Sequence, residues 1–215
     1  MEIINKQLDS YLNKFYSLEP GLLGEIQKKA LECNIPIIPK DTAMFLTTLL
    51  SVKKPKHILE IGTAVGFSAA LFSRYLEYGG QITTIEKNQA MIESAKHTFE
   101  ALGLNDKITI LEGDAIDMLD NITGPFDVIF MDAAKGQYIN ILDKCLKLLK
   151  TGGILIADDV LQEGKVALEV NEIKRRNRTI RRRLELFLKE INSKDFLRTS
   201  IIPIGGGLSL SYKIF

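Results

Sequence analysis

Short apolar runs recur along this chain, each closing on a glycine or an acid. HILEIG (57–62) is the first, and ITTIE (82–86), ITILEG (108–113), FDVIFMD (126–132) and GILIADD (153–159) repeat the form. Runs this short, rich in Ile and Val, suit strands covered on both faces. Residues 67–78, 88–102, 115–121 and 137–149 lie between them and read as helices. Strand alternating with helix predicts an α/β doubly wound parallel sheet. Ligands of such a sheet sit beyond the carboxyl ends of its strands, near the point where strand order reverses. Residues 196–215, FLRTSIIPIGGGLSLSYKIF, read as strand, glycine turn, strand, an antiparallel hairpin at the sheet edge. Ahead of the sheet, residues 3–15, 20–33 and 41–52 predict helices. Asp41 is placed to cap the third, with Met44, Phe45, Thr48 and Leu49 along one face. The expected organisation is one domain over 1–215, with a helical region (1–55) and an α/β core (56–215).

Composition narrows the chemistry. Cys33 and Cys145 have neither disulfide-framework nor metal-ligand spacing, and with only His57 and His97 a His-rich zinc site is not expected. No apolar run approaches the roughly 18 residues of a membrane span. The N-terminal MEIINKQLDSYLNK lacks the apolar core of a signal peptide, so the expected compartment is the cytoplasm, without a membrane partner. The chain has 28 Lys+Arg against 27 Asp+Glu, but residues 174–183, KRRNRTIRRR, hold seven basic residues and no acid. A basic cluster on an otherwise acidic body suits a local anion-binding surface or a solvated helix face.

Two constellations carry candidate chemistry. The first is Glu60-Ile61-Gly62-Thr63-Ala64-Val65-Gly66-Phe67-Ser68, a strand-to-helix turn. Gly62 and Gly66 let the chain turn and a ligand approach the backbone. Ala64 and Phe67 break the G-x-G-x-x-G pattern of dinucleotide sites, and Glu60 would repel a pyrophosphate. An acid there suits a cationic ligand, Glu86 is placed for ribose hydroxyls, and Asp114 lies where an adenine would rest. The set fits S-adenosylmethionine; strand-end acids also serve as helix caps. The second constellation is Asp132, Asp158 and Asp159 at the tips of the fourth and fifth strands, with Lys135 nearby. Three clustered carboxylates call for a cation, and oxygen-only ligands favour Mg²⁺, Mn²⁺ or Ca²⁺. Such an ion would acidify a bound hydroxyl into a nucleophile, with Lys135 orienting it or taking its proton. Helix capping by the acids and a solvated Lys135 is the plainer alternative.

These residues, together with Gly113-Asp114-Ala115, Met131-Asp132-Ala133-Ala134-Lys135 through Tyr138, and Ile202-Pro203-Ile204-Gly205-Gly206-Gly207-Leu208, resemble the S-adenosylmethionine-dependent, divalent-metal O-methyltransferases of the caffeoyl-CoA and catechol type. The resemblance implies a Rossmann-like class I methyltransferase fold with a seven-stranded, mostly parallel sheet. It implies cofactor contacts at Glu60, Gly62, Ser68, Glu86, Ala115 and Asp132. It also implies metal ligation (Mg²⁺ first) by Asp132, Asp158 and Asp159, catalysis by Lys135 and Asp132, and a homodimer. The N-terminal Leu8, Tyr11, Leu12 and Phe15 could supply its interface. Two positions depart from the family pattern: Asp159 replaces its usual Asn, and Gly206 replaces the Asp of its Gly-Asp-Gly segment.

Within the family the wording of residues 131–138 and 175–180 resembles the bacterial tRNA 5-hydroxyuridine methyltransferases. That implies a tRNA anticodon loop as partner and 5-methoxyuridine at the wobble position as product. In 5-hydroxyuridine the hydroxyl neighbours a carbonyl oxygen, much as in a catechol. Ile180, Leu184, Phe187 and Ile191 predict a buried helical stripe, leaving Arg175, Arg178 and Arg182 on another side for phosphates. Alternatives are methylation of small catechol-like phenols or their CoA thioesters, and a protein that binds the cofactor without catalysis.

Overall fold

The computed structural model describes residues 6–215, so residues 3–5 of the first expected helix lie outside the described residues. Three helices, α1 (Lys6–Leu12), α2 (Gly21–Glu32) and α3 (Lys40–Lys53), precede the sheet. The sheet is built from β1 (His57–Ile61), β2 (Gln81–Glu86), β3 (Ile108–Glu112), β4 (Phe126–Met131), β5 (Leu149–Ala157), β6 (Leu197–Ile202) and β7 (Leu208–Lys213). Strand order is β3-β2-β1-β4-β5-β7-β6. The first five strands are parallel, and the β6–β7 hairpin joins antiparallel to β5. The connecting helices are α4 (Phe67–Phe72), α5 (Gln89–Ala101), α6 (Ala115–Met118), α7 (Tyr138–Leu148) and α8 (Arg178–Ser193).

Alternation along buried strands divides the core in two. Val128 and Phe130 of β4 face one side, with Phe72 and Phe99; Ile129 and Met131 face the other, with Tyr138, Leu184 and Phe187. Phe72 and Phe130 meet edge to face with ring centroids 5.3 Å apart. All six residues of β4 are buried, as a strand covered by helices on both faces requires. The register then places the functional tips. Ile61 pairs with Ile85 and with Met131, and Met131 pairs with Ala157. One residue onward, Glu86, Gly62, Asp132 and Asp158 therefore stand in a row, with the order reversal between β1 and β4 at its centre.

Several local expectations change. Asp41 does not cap α3; Pro39 occupies that position. The Asp41 carboxylate instead accepts from Thr42 N and, 2.9 Å away, from Gly205 N, tying α3 to the hairpin turn. The buried face of α3 is Thr42, Ala43, Leu46, Thr47 and Leu50, whereas Met44 points outward. KDTAMFLTTLLSVK is apolar on more than one side, so tertiary packing chose the face. Helix α6 stops at Met118, short of the expected 121, and α4 gives way to a 3₁₀ turn at Ser73–Tyr75. Leu8, Tyr11 and Phe15 are exposed, while Leu12 and Tyr16 line a shallow cavity with Met44, Phe45 and Ile204. Among the described residues no helix is long and apolar enough to cross a membrane.

A buried acid latches the first strand. Asp127, in the middle of the sheet, accepts from the backbone N–H groups of Lys56 (2.9 Å) and His57 (2.8 Å) and pairs with Lys150. Although burial opposes it, Lys150 and the two amides hold this carboxyl below the usual range. Its contribution to stability is therefore present at neutral pH and lost as pH falls through its lowered pKa. Asp127→Ala should cost about 2–3 kcal/mol in denaturant unfolding at pH 7, because two partly buried amides lose their charged acceptor and Lys150 its partner. A loss below about 0.5 kcal/mol would show that the latch contributes nothing.

Candidate active site

A cavity of about 430 Å³ opens along the row of strand tips. Its walls come from the β1–α4 turn (Gly62 to Ser68), the end of β2 (Glu86 to Asn88), the β3–α6 turn (Gly113 to Ile116) and the end of β4 (Asp132 to Lys135). Gly62 sits at φ +102°, and an added Cβ would overlap the carbonyl oxygen of Asp132. Only glycine permits that approach of two backbones. Of the expected cofactor contacts, Gly62, Ser68, Glu86, Ala115 and Asp132 line the cavity.

Glu60 does not reach the wall. It is fully buried, accepting 2.6 Å hydrogen bonds from Ser68 Oγ and Thr84 Oγ1, and Thr84 in turn meets Thr63 Oγ1. The strand-end acid thus stands behind the cavity and orients Ser68. Burial pushes its carboxyl up to about 7 against those two hydrogen bonds. Glu86 does reach the cavity, its carboxylate accepting from Ala64 N (3.0 Å), Lys87 N (2.9 Å) and Asn88 N (2.9 Å). The first of these bonds is made by Ala64 at its left-handed φ of +45°. Asp114 both lines the cavity and caps α6, accepting from Ile116 N at 3.0 Å, and pairs with Lys87 at the rim. Its carboxyl is held below the usual range by the Ile116 amide and then by Lys87.

The acids beyond β4 and β5 act on one ammonium. Lys135 Nζ lies 3.0 Å from Asp159 Oδ2. Burial pulls the Lys135 pKa down, but the charges of Asp159, Asp132 and Asp158 outweigh it and raise it. With these charges alone around it, Lys135 is held as the ammonium. Burial raises the carboxyls of Asp132 and Asp159, with Lys135 opposing, and takes Asp158 to about 7 with help from Asp132. Three carboxylates against one ammonium leave surplus negative charge.

The expected ready-made metal cage is not formed: among the described residues, no three His, Cys, Asp or Glu side chains converge to hold an ion. Asp159, at φ +53°, turns one oxygen to Lys135, and Asp158 Oδ1 accepts from Asp159 N at 2.8 Å. The other Asp159 oxygen is buried without a hydrogen-bond partner, in the space a Cβ on Gly206 would occupy. The two departures from the family pattern thus touch. The oxygen donors, the orphaned Asp159 Oδ1 and the surplus charge fit a divalent cation on chemical grounds.

The basic segment divides. Arg175 belongs to a separate 3₁₀ turn, Arg175–Asn177, and α8 begins at Arg178. Arg175, Arg178 and Arg182 are exposed, with Arg178 Nε donating to Ile173 O. Arg183 turns inward and donates to Gly136 O at 2.9 Å. Leu184, Phe187 and Ile191 are buried, and Ile180 packs on them partly covered. The sequence reading missed the wall made by Pro36, Ile37 and Ile38, between α2 and α3. Its signal was an apolar stretch bounded by Pro36 and Pro39, too short for a helix.

Glu60 sets a pH dependence with a definite sign. Its folded pKa of about 7 exceeds the ordinary 4.5, so the unfolded chain releases the proton first. The Glu60 contribution to stability is full below about pH 4.5, declines as pH rises toward 7, and is constant above. The span corresponds to roughly 3 kcal/mol at most. Glu60→Gln should lose this slope; parallel unfolding curves for variant and wild type across that window would refute the buried proton.

Comparison with known proteins places the chain. A family model described as O-methyltransferase matches residues 16–214. A caffeoyl-CoA O-methyltransferase of Populus kitakamiensis is 33% identical over 183 residues, covering 82% of this chain and 78% of that protein. A catechol O-methyltransferase of Niastella koreensis is 31% identical over 169 residues, 76% of each. The crystal structure of an O-methyltransferase from Bacillus cereus in complex with SAH superposes with a TM-score of 0.83 at 25% identity, over 96% of this chain and 97% of that one. Sheet order, cavity position and a match over nearly the whole length agree: this chain belongs to the O-methyltransferase family.

Proposed function

We propose that the chain transfers the methyl group of S-adenosylmethionine to a hydroxyl that has a second oxygen beside it, as in a catechol. The observation that carries this reading is Lys135, paired with Asp159 at 3.0 Å and within the field of Asp132 and Asp158, at the edge of a cavity made from strand tips. The cavity volume lies within the range of small-molecule sites, and the B. cereus relative is a complex with SAH. Ser68, held by Glu60, and the Glu86 carboxylate offer polar contacts to an amino acid moiety and ribose hydroxyls. Asp132 supplies negative charge toward the cationic donor.

In the transfer, the acceptor hydroxyl releases its proton to solvent, its oxygen attacks the methyl carbon, the carbon–sulfur bond breaks with its electron pair going to sulfur, and the neutral thioether leaves. Lys135 stabilises the oxyanion as it forms, and the acids keep its ammonium in place. A divalent cation, Mg²⁺ by the hardness of the donors, would be held by Asp132, Asp158 and Asp159. Bound there, it would supply Lewis acidity to the two neighbouring acceptor oxygens.

The names of the Populus and Niastella relatives support a small phenol or its CoA thioester as acceptor. A second reading, 5-hydroxyuridine in a tRNA anticodon loop, is favoured by one observation, the exposed Arg175, Arg178 and Arg182. The exposed Leu8, Tyr11 and Phe15 suit a second copy of the chain.

Labelled S-adenosylmethionine should mark catechol or caffeoyl-CoA; label appearing instead in tRNA carrying 5-hydroxyuridine would select the second reading, and label in none would refute both. Lys135→Ala should lower kcat about 100-fold while SAH affinity stays within about threefold. Replacing the three arginines with Ser should leave small-acceptor turnover unchanged. If RNA is the acceptor, the same change should flatten the salt dependence of its binding by about three powers; an unaltered slope would remove that surface from the RNA reading.

A further inference from the structure

Tyr138 is fully buried at the start of α7, directly after the 3₁₀ turn Lys135–Gln137. Its ring packs edge-on against Phe187 of α8, centroids 5.5 Å apart. Phenylalanine would fill that space equally well. A hydroxyl there costs desolvation unless it is bonded, and this one lies 3.1 Å from the carbonyl oxygens of both Met131 and Asp158. Carbonyls only accept, so the single phenolic proton is shared between them.

Those two carbonyls flank the site. Met131 precedes Asp132, and Met131 with Ala157 is the last pair of the β4–β5 ladder. Beyond it, the strand tips are joined by Asp158 N donating to Met131 O at 2.9 Å and by the Tyr138 hydroxyl. Lys135 lies one turn before Tyr138, so both partners of the Lys135–Asp159 ion pair hang from the same staple. Arg183, donating to Gly136 O, braces the turn from α8.

We propose that Tyr138 is a positioning residue for methyl transfer: its hydroxyl sets the spacing of the β4 and β5 tips, and with it the placement of Asp132 and Lys135 against Asp158 and Asp159. This rests on the methyl-transfer reading above. Tyr138 itself does not line the cavity.

The test is Tyr138→Phe, which keeps the ring and its packing. Turnover number should fall about tenfold or more, because small displacements of reacting groups are costly. KM for S-adenosylmethionine and affinity for SAH should stay within about threefold. The Asp158 amide should exchange its hydrogen about tenfold faster, while that of Ile85, in the β1–β2 ladder, stays unchanged. An unchanged kcat with unchanged Asp158 exchange would overturn the proposal. So would loss of kcat together with SAH binding and global exchange protection, which marks a purely structural role. If wild-type protein methylated no acceptor, the functional reading would fail separately, and Asp158 exchange would still decide whether the hydroxyl staples the tips.

Discussion

The site depends on one close approach: the backbone of β1 leaves the sheet at Gly62 against the carbonyl of Asp132, with no room for a side chain between them. Asp132 N donates to Ile61 O and Gly62 N to Ile85 O, so three strand tips are joined by backbone hydrogen bonds just where the ladder ends. Glu86, Gly62, Asp132 and Asp158 are brought level by that constraint and the parallel register, not by contacts among their side chains. A cavity at the order reversal follows, because the chains on either side leave for helices on opposite faces.

Electrostatics at this row runs against folding. Glu60, Asp132 and Asp158 are withdrawn from water, and burial raises the pKa of each. Hydroxyls of Ser68 and Thr84 stabilise the first, and the Lys135 ammonium serves the other two together with Asp159. The remaining negative potential suits a cationic ligand. An amino acid bearing a sulfonium is one, and a divalent ion is another. The same potential favours the ammonium form of Lys135.

The second core cluster supplies the rigidity that such a site needs. Tyr138, Phe187 and Leu184 fill the space between the sheet and helices α7 and α8, and the polar atoms of Tyr138 and Arg183 emerge from that packing at the carbonyls around Asp132 and Lys135. The basic helix therefore has two aspects. Its inner side braces the Lys135–Gln137 turn, and its outer side presents Arg178 and Arg182 to solvent.

Sequence alone determined the five parallel strands, the terminal hairpin and the identity of the cavity's polar walls, because buried strands and glycine turns leave local signatures that need no long-range information. It set Met44 and Thr48 on the same face of α3 as Phe45 and Leu49, of which only the latter two pack on the core, and it misread the cap at Asp41; several local solutions were equally good there, and packing chose among them. It placed Glu60 on the ligand when the fold sets it one layer behind Ser68. It could not see that Pro36 to Ile38 closes the cavity, or that Asp159 turns toward Lys135 into space left by Gly206. Those facts depend on segments far apart in the chain meeting at one point, and only the tertiary structure decides which side chain faces which.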